Sequence, residues 1–318
     1  MTRTDAEPTT QDAAARAGWL YYVGGMTQDQ IATELGVSRQ RAQRLVSRAM
    51  SEGLIHVRLN HRIGVCLDLE AAVEDKYGLT RCRVAPSLGA GADPARAIAP
   101  TAATELERYL RMPKSQVIAF GTGRALRAMA EQFLPTDANQ HRIVSLLGNI
   151  APDGSATLYD VISRIAEKLN APYYPMPVPV ISDTPEEREF FMHLRPVRAV
   201  FDLALKADVT FVGVGQMGDD APLALDGFVS RDLLGKLQSQ GAVGEIASWV
   251  FDDQGVYIES PRNAVVGGVR VEPGRLRPVI AVAAGANKVR AIRAALVGRI
   301  VNSLVTDEAT AMALLTSG

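Results

Sequence analysis

The period of the apolar positions changes along this chain, and that change divides it. From Gln11 to Val23, Ala14, Ala17, Leu20 and Tyr21 share one helical face. Gly24-Gly25 stops that helix. Thr27-Gln28-Asp29-Gln30 then has capping-box form: the threonine hydroxyl covers an amide of the first turn and Gln30 reaches back. Ile31, Ala32 and Leu35 make the apolar face of this second helix, and Gly36 ends it at a position suited to positive φ. Val37 enters the turn, and Ser38 caps a third helix from Arg39 to about Glu52. Ala42, Leu45, Val46 and Ala49 lie along it at helical spacing, and Gly53 closes it. Leu54 to Leu59 alternates like a strand. Three helices, a tight Gly-Val-Ser turn and a strand after the third helix predict a winged helix-turn-helix.

Past about residue 60 the pattern switches. Leu67, Leu69, Ala72 and Val73 begin a helix that ends at Tyr77-Gly78-Leu79, and Arg81 to Pro86 reads as a strand. Val117 to Phe120 is a buried strand run, followed by Gly121-Thr122-Gly123 and a helix from Arg124 to Gln132. Ile143 to Leu147 is a strand ending at Gly148-Asn149, and Thr157 to Leu169 is helical. Val209 to Gly215 is a strand entering a glycine-rich loop, and Trp249 to Gly255 reads as a strand and turn. Val279 to Ala283 precedes a helix from about Lys288 to Leu296; Ile300 to Val305 precedes one from Asp307 to Leu315. Continuous apolar strands alternating with helices mean a parallel sheet covered on both faces. The expected class is α/β: an N-terminal winged helix-turn-helix plus a larger Rossmann-like α/β domain. Residues 1–10 read as a disordered tail, 11–59 as the winged helix-turn-helix, 60–66 as a linker, and 67–318 as the large α/β domain.

Composition narrows this. A chain of 318 residues, 47% hydrophobic and 22% charged, is globular over most of its length. A net charge of −1 confines any nucleic-acid site to a local patch. Only 6% of residues are aromatic, which argues against a stacking platform for single strands. Cys66 and Cys82 give neither a disulfide framework nor a metal cluster. The N-terminus is too polar for a signal peptide, and the longest apolar run, from Val279 to Ala284, is too short for a bilayer. A cytoplasmic protein with no membrane partner is expected.

The third helix supplies the local patch. Arg39, Gln40, Gln43 and Arg44 lie opposite its apolar stripe, Arg41 and Arg48 flank them, and no acid occurs between Gly36 and Ala49. Arginine and glutamine are the side chains that pair bidentately with guanine and adenine edges. Thr27, Gln28 and Ser38, at the starts of the second and third helices, belong to the same surface. Arg58, in the wing, would contact phosphate without reading sequence. His56 and His61 read as wing and linker residues rather than a metal pair.

In open α/β sheets, ligands bind beyond the carboxyl ends of the strands. There, Gly121-Thr122-Gly123-Arg124 offers backbone amides, a hydroxyl and a helix start to an anion. The same glycines would also serve a tight turn with no ligand. The segment is neither a Walker A loop nor a GxGxxG fingerprint, so no dinucleotide is expected, and no cofactor. Lys288 lies at another strand end, at a helix start where a cation is disfavoured unless it serves a ligand. Glu245 follows Gly241-Ala242-Val243-Gly244 and suits sugar hydroxyls, or is merely a solvated loop acid; Asp219 and Asp220 have similar status. His141 and His193 stand in surface-like contexts.

These segments, in this order, resemble the SorC-type sugar-binding transcriptional regulators of bacteria. The resemblance runs from about residue 12 to 316 and rests on WLYYVGGMTQDQIATELGVSRQRAQRLVSRAMSEGLI, VIAFGTGRAL, LLGN, FVGVGQMG, GAVGEIASWVFDDQG and VIAVAAGANKVRAIRAALVGRIVNSLVTDEATAMALL. It implies that 11–59 is a DNA-binding domain and that 67–318 is a sugar-binding effector and oligomerisation domain, a Rossmann-like α/β effector-binding fold similar to sugar-phosphate isomerases and glucosamine-6-phosphate deaminase, binding a sugar, polyol or sugar phosphate rather than converting it. By position, Gly121, Thr122, Gly123 and Arg124 would cradle a phosphate, and Asn149, Gln216, Glu245 and Lys288 would line the rest. Double-stranded operator DNA would be the other partner, and a homotetramer or homodimer the working form. Related deaminases carry Asp-Gly-His in the loop where this chain has Gln216-Met217-Gly218-Asp219-Asp220, so the proton shuttle is missing. No catalytic residue is assigned. The alternative is a sugar-phosphate isomerase or deaminase with a DNA-binding appendage.

Overall fold

The computed structural model describes residues 9–55, 63–89, 91–151, 154 and 161–316. The chain divides into two compact units, 1–61 and 62–318.

The first unit holds α1 (Thr10–Tyr22), α2 (Gln28–Leu35) and α3 (Arg39–Ser51). Its core is Ala14, Ala17, Ile31, Ala32, Ala42, Leu45, Val46 and Ala49, the apolar stripes read from the sequence. Small residues let α1 lie close on α3: a Cβ on Gly18 would sit 2.8 Å from that of Ala49. The tail expected over 1–10 ends earlier than that. Thr9 caps α1 in a second capping box with Asp12, and Thr10 is already helical; residues 1–8 lie outside the described residues. Of the expected wing strand, Leu54 and Ile55 pack against the helical core without forming a strand. His56, Arg58 and His61 lie outside the described residues.

The second unit opens with α4 (Gly64–Tyr77), which starts inside the expected linker, then β1 (Arg81–Ala85) and α5 (Pro94–Leu110). There follow β2 (Val117–Phe120), α6 (Arg124–Glu131), β3 (Arg142–Ile150), α7 (Val161–Leu169), β4 (Tyr173–Pro179), α8 (Pro185–His193), α9 (Arg195–Leu205) and β5 (Val209–Val212). An insertion carries β6 (Gly215–Gln216), α10 (Pro222–Leu225), α11 (Arg231–Ser239), β7 (Gly244–Ile246), β8 (Trp249–Phe251) and α12 (Pro261–Ala264). The chain closes with β9 (Val279–Val282), α13 (Val289–Val297), β10 (Ser303–Asp307) and α14 (Glu308–Thr316).

Seven strands form one parallel sheet in the order β1-β10-β9-β5-β2-β3-β4, and β6-β7-β8 form a small antiparallel sheet. Counted from β2, the large sheet has the doubly wound Rossmann order, with β1 added at one edge. The topological switch point therefore falls between β2 and β5, where such folds bind ligands. Alternate residues of β2 serve different cores. Val117 and Ala119 join one cluster, and Ile118 and Phe120 join the cluster on the other face. That is why the strand reads as an unbroken apolar run.

One expectation is reversed. His141 is not a surface residue: it is 0% exposed. The Gln116 N–H donates to its Nδ1 at 3.1 Å, and its Nε2 lies 3.0 Å from the Leu110 carbonyl, so the proton sits on Nε2. The ring thus ties the end of α5 to the start of β2. His193 is exposed, as expected.

Candidate functional site

Two surfaces carry chemistry, one in each unit. In the first, Gly36 ends α2 with φ +63°, a left-handed conformation that favours glycine. The Arg41 N–H donates to Ser38 Oγ at 3.3 Å, which starts α3. Thr27 and Gln30 close their capping box, the Thr27 N–H donating to Gln30 Oε1 at 2.8 Å. With the apolar stripe of α3 buried, Arg39, Gln40, Arg41, Gln43, Arg44 and Arg48 are all exposed, as are Thr27 and Ser38; Gln28 is half-buried. Arg39 lies 3.4 Å from Asp29 and Arg48 2.6 Å from Glu52. Exposed bridges of this kind contribute about 0–1 kcal/mol, so both guanidinium groups remain exchangeable toward phosphate.

In the second unit, a cavity of about 330 Å³ opens beyond the carboxyl ends of β2, β5 and β9, at the switch point. Thr122, Gly123 and Arg124 line it from the β2–α6 turn, Gln216 from β6, Glu245 from β7, and Lys288 from the start of α13. Gly123 has φ +125°, which leaves the first turn of α6 open to the cavity. Gly215 makes room for a side chain. A Cβ there would overlap Glu245 Oε1, so the glycine lets that carboxylate lie flat across β6.

Charge fixes these groups in place. Glu245 Oε2 accepts the Ser248 N–H at 2.8 Å. Burial pushes the Glu245 carboxyl above the usual carboxylate range, while that hydrogen bond and the charges of Lys288 and Arg262 pull it down. Burial lowers Lys288, opposed by Glu245; Arg124 lowers it further and Asp93 raises it. Gln216 is held from both ends, its Nε2 donating to Asp220 Oδ1 at 2.9 Å and its Oε1 accepting the Gly218 N–H. Arg124 reaches Asp226 at 3.4 Å.

Not every residue named from the sequence lines the cavity. Gly121 is buried and gives its N–H to the Phe211 carbonyl at 2.8 Å, so it holds β2 to β5. Asn149 lies on β3 outside the lining, next to a register shift between β3 and β4 at Gly148. Asp219 turns away and accepts from Gln238 Nε2 at 3.3 Å, while its neighbour Asp220 takes the place at the cavity. Sequence reasoning missed Asp93, Asp226 and Arg262. Asp93-Pro94 was visible as a cap followed by a first-turn proline, and it starts α5 at the cavity wall. Arg262 is 4% exposed, and among the described residues none of its guanidinium nitrogens has a hydrogen-bond partner. Burial pushes it down to about 10, against the pull of Glu245.

A helix-turn-helix joined to a doubly wound domain whose switch-point cavity sets charged groups among apolar walls defines a ligand-responsive DNA-binding protein. Comparison with known proteins gives the family. The family described as "Putative sugar-binding domain" matches residues 61–316, and the one described as "Sigma-70, region 4" matches 20–52, the stretch that holds α2 and α3. The erythritol catabolism regulatory protein EryD of Brucella abortus is 36% identical over 302 residues, covering 95% of this chain and 96% of that protein. The transcriptional regulator LsrR of Klebsiella pneumoniae is 30% identical, covering 96% and 93%. The crystal structure of the full-length sorbitol operon regulator SorC from Klebsiella pneumoniae superposes with a TM-score of 0.70 at 27% identity, covering 96% of this chain and 99% of that one. The chain belongs to the SorC-type sugar-binding transcriptional regulators. It is a DNA-binding regulator with a sugar-binding domain. No helix among the described residues is long and apolar enough to cross a membrane.

Proposed function

We propose that this regulator controls a polyol or sugar catabolic operon, and that its effector is a small neutral polyol or free sugar held in the switch-point cavity. The charge of the cavity wall carries the choice. Among the described residues, Asp93, Asp220, Asp226 and Glu245 line the cavity against two lining cations, Arg124 and Lys288, with Arg262 acting on Glu245 from behind the wall. Arg124 already has Asp226, and Lys288 feels both Glu245 and Asp93. A phosphate dianion would add to this excess of negative charge, whereas hydroxyl groups donate to carboxylates. The similarity to a regulator of erythritol catabolism points the same way. Glu245 and Lys288 orient the ligand, Thr122 and Gly123 supply donors at the start of α6, and Gln216 closes one wall. On the DNA, Arg39, Gln40, Gln43 and Arg44 read bases in the major groove, and Arg41 and Arg48 hold phosphates. Two copies at least are needed to meet two half-sites one helical turn, or a multiple, apart. The protein acts as a cytoplasmic sensor and not a catalyst, since the loop of Gln216 to Asp220 carries no histidine.

A thermal-shift screen tests this with erythritol and four- to six-carbon polyols, sugars and their phosphates, followed by gel shift on upstream DNA. A neutral polyol should raise the melting temperature and change operator affinity roughly 5–150-fold, the span of a typical 1–3 kcal/mol coupling. Lys288→Ala should abolish both responses. A response to phosphate esters alone would overturn the neutral-ligand assignment. Turnover of a sugar phosphate or amino-sugar phosphate would revive the enzyme reading.

A further inference from the structure

The β7–β8 hairpin has a second pocket on its other side. Glu245, Ala247 and Ser248 line the switch-point cavity, whereas Trp249, the next residue, lines a separate pocket of about 350 Å³. Ala247 and Ser248 turn the chain between the two with φ of +50° and +67°, left-handed conformations that L side chains adopt only under constraint. The indole of Trp249 is 8% exposed.

Two guanidinium groups converge on that indole. The Arg188 guanidinium carbon, from α8, and that of Arg270 each lie 5.7 Å from the Trp249 ring centroid, and Arg270 is also 5.3 Å from that of Tyr257. Arg188 Nε donates to the Val266 carbonyl at 2.6 Å, which aims the group and leaves both Nη atoms for another acceptor. No carboxylate among the described residues pairs with Arg188. Burial lowers its pKa, and so does its cationic neighbour Arg270. Arg270 has one exposed bridge, Nε to Glu272 at 2.9 Å. The remaining wall is fixed: the Asn263 side chain is committed to the main chain of Val250 and Ile258, and Ser260 caps α12. Glu259 lines the pocket and is exposed. Two like charges held beside one indole are costly alone and favourable around an oxyanion, which the guanidinium forks bind bidentately.

We propose that this pocket is a second ligand site, distinct from the effector cavity, for a compact oxyanion: a carboxylate or phosphate group gripped by Arg188 and Arg270 over Trp249. The group comes from a small metabolite or from an acidic side chain of a second copy of this chain. The proposal is independent of which effector fills the switch-point cavity.

The test is intrinsic fluorescence of the full-length chain. Trp19 and Trp249 are the two tryptophans, so Trp19→Phe leaves Trp249 as the reporter. Malonate and inorganic phosphate, titrated at constant ionic strength with chloride, should give a saturable change in Trp249 emission, and xylitol should not give the same change. Arg188→Gln, checked for native circular dichroism, should weaken anion binding at least tenfold, and Arg270→Gln should weaken it too. Lys288→Gln should leave it intact; loss there instead would place the anion in the effector cavity and overturn the second site. Sedimentation velocity separates the two sources. Self-association weakened by malonate and by Arg188→Gln identifies a partner's acidic group, and unchanged association with saturable binding identifies a free anion. Absence of both saturable binding and anion-sensitive association would overturn the proposal.

Discussion

At the residue scale, the cavity depends on a few ionisable groups whose environment opposes their ordinary charge. Glu245 must be ionised to accept hydroxyls, yet burial raises its pKa. Lys288 must be protonated to donate, yet burial lowers its own. Ligand affinity is therefore expected to be bell-shaped in pH. The acid limb should fall above the ordinary glutamate value of about 4.5, because lowering the pH through a raised pKa protonates Glu245 early. The alkaline limb should fall below the ordinary lysine value of about 10.5, because raising the pH through a lowered pKa discharges Lys288 early. Isothermal titration across pH checks both, and Glu245→Gln should remove the acid limb while weakening binding at neutral pH. Local pattern made Glu245 and Lys288 legible: a glycine loop before an acid, and a lysine at a helix start where the dipole disfavours it. Arg262 was not legible, since an arginine in a polar loop reads as solvated until its burial is seen. His141 misled for the same reason.

At the scale of the element, α3 is the part of the protein best written in its own sequence. Cap, stripe and polar face all agree, and agreement between levels is what makes a local reading reliable. Gln43→Ala should relax operator discrimination with little change in nonspecific affinity. Arg48→Ala should instead weaken binding to all DNA and flatten the salt dependence by about one phosphate contact. Quantitative footprinting over a salt series distinguishes the two, and an unchanged footprint specificity in Gln43→Ala would remove α3 from the base-reading role. The element least legible is α5. It runs through Pro100, and an interior proline ordinarily breaks a helix. Packing prevails there: Ile98, Ala102, Ala103, Leu106 and Tyr109 are all buried in one core cluster.

For the whole molecule, two compact units with separate cores should melt separately. Differential scanning calorimetry is expected to resolve two transitions. Effector should raise the one belonging to the larger unit, by about 2.7 kcal/mol of stability at a hundredfold excess over Kd, and operator DNA should raise the other. A single transition that moves as one with either ligand would mean that the units unfold together.

Local pattern was enough for the two-part organisation, the helix-turn-helix with its exposed basic face, and the strand-and-helix alternation of the large domain. Each of these is recorded in a short-range signal: the period of burial, a cap, a glycine that ends a helix. Which strand ends meet was settled by the fold. The order of the sheet placed β2 beside β5, so that Thr122 and Gly123 face Gln216, Glu245 and Lys288 across one cavity. It also replaced Asp219 with Asp220, excluded Gly121 and Asn149 from the wall, and added Asp93 and Asp226. Such choices turn on strand order, register and the direction of a single side chain, all fixed by contacts between residues far apart in the chain, which no local periodicity encodes.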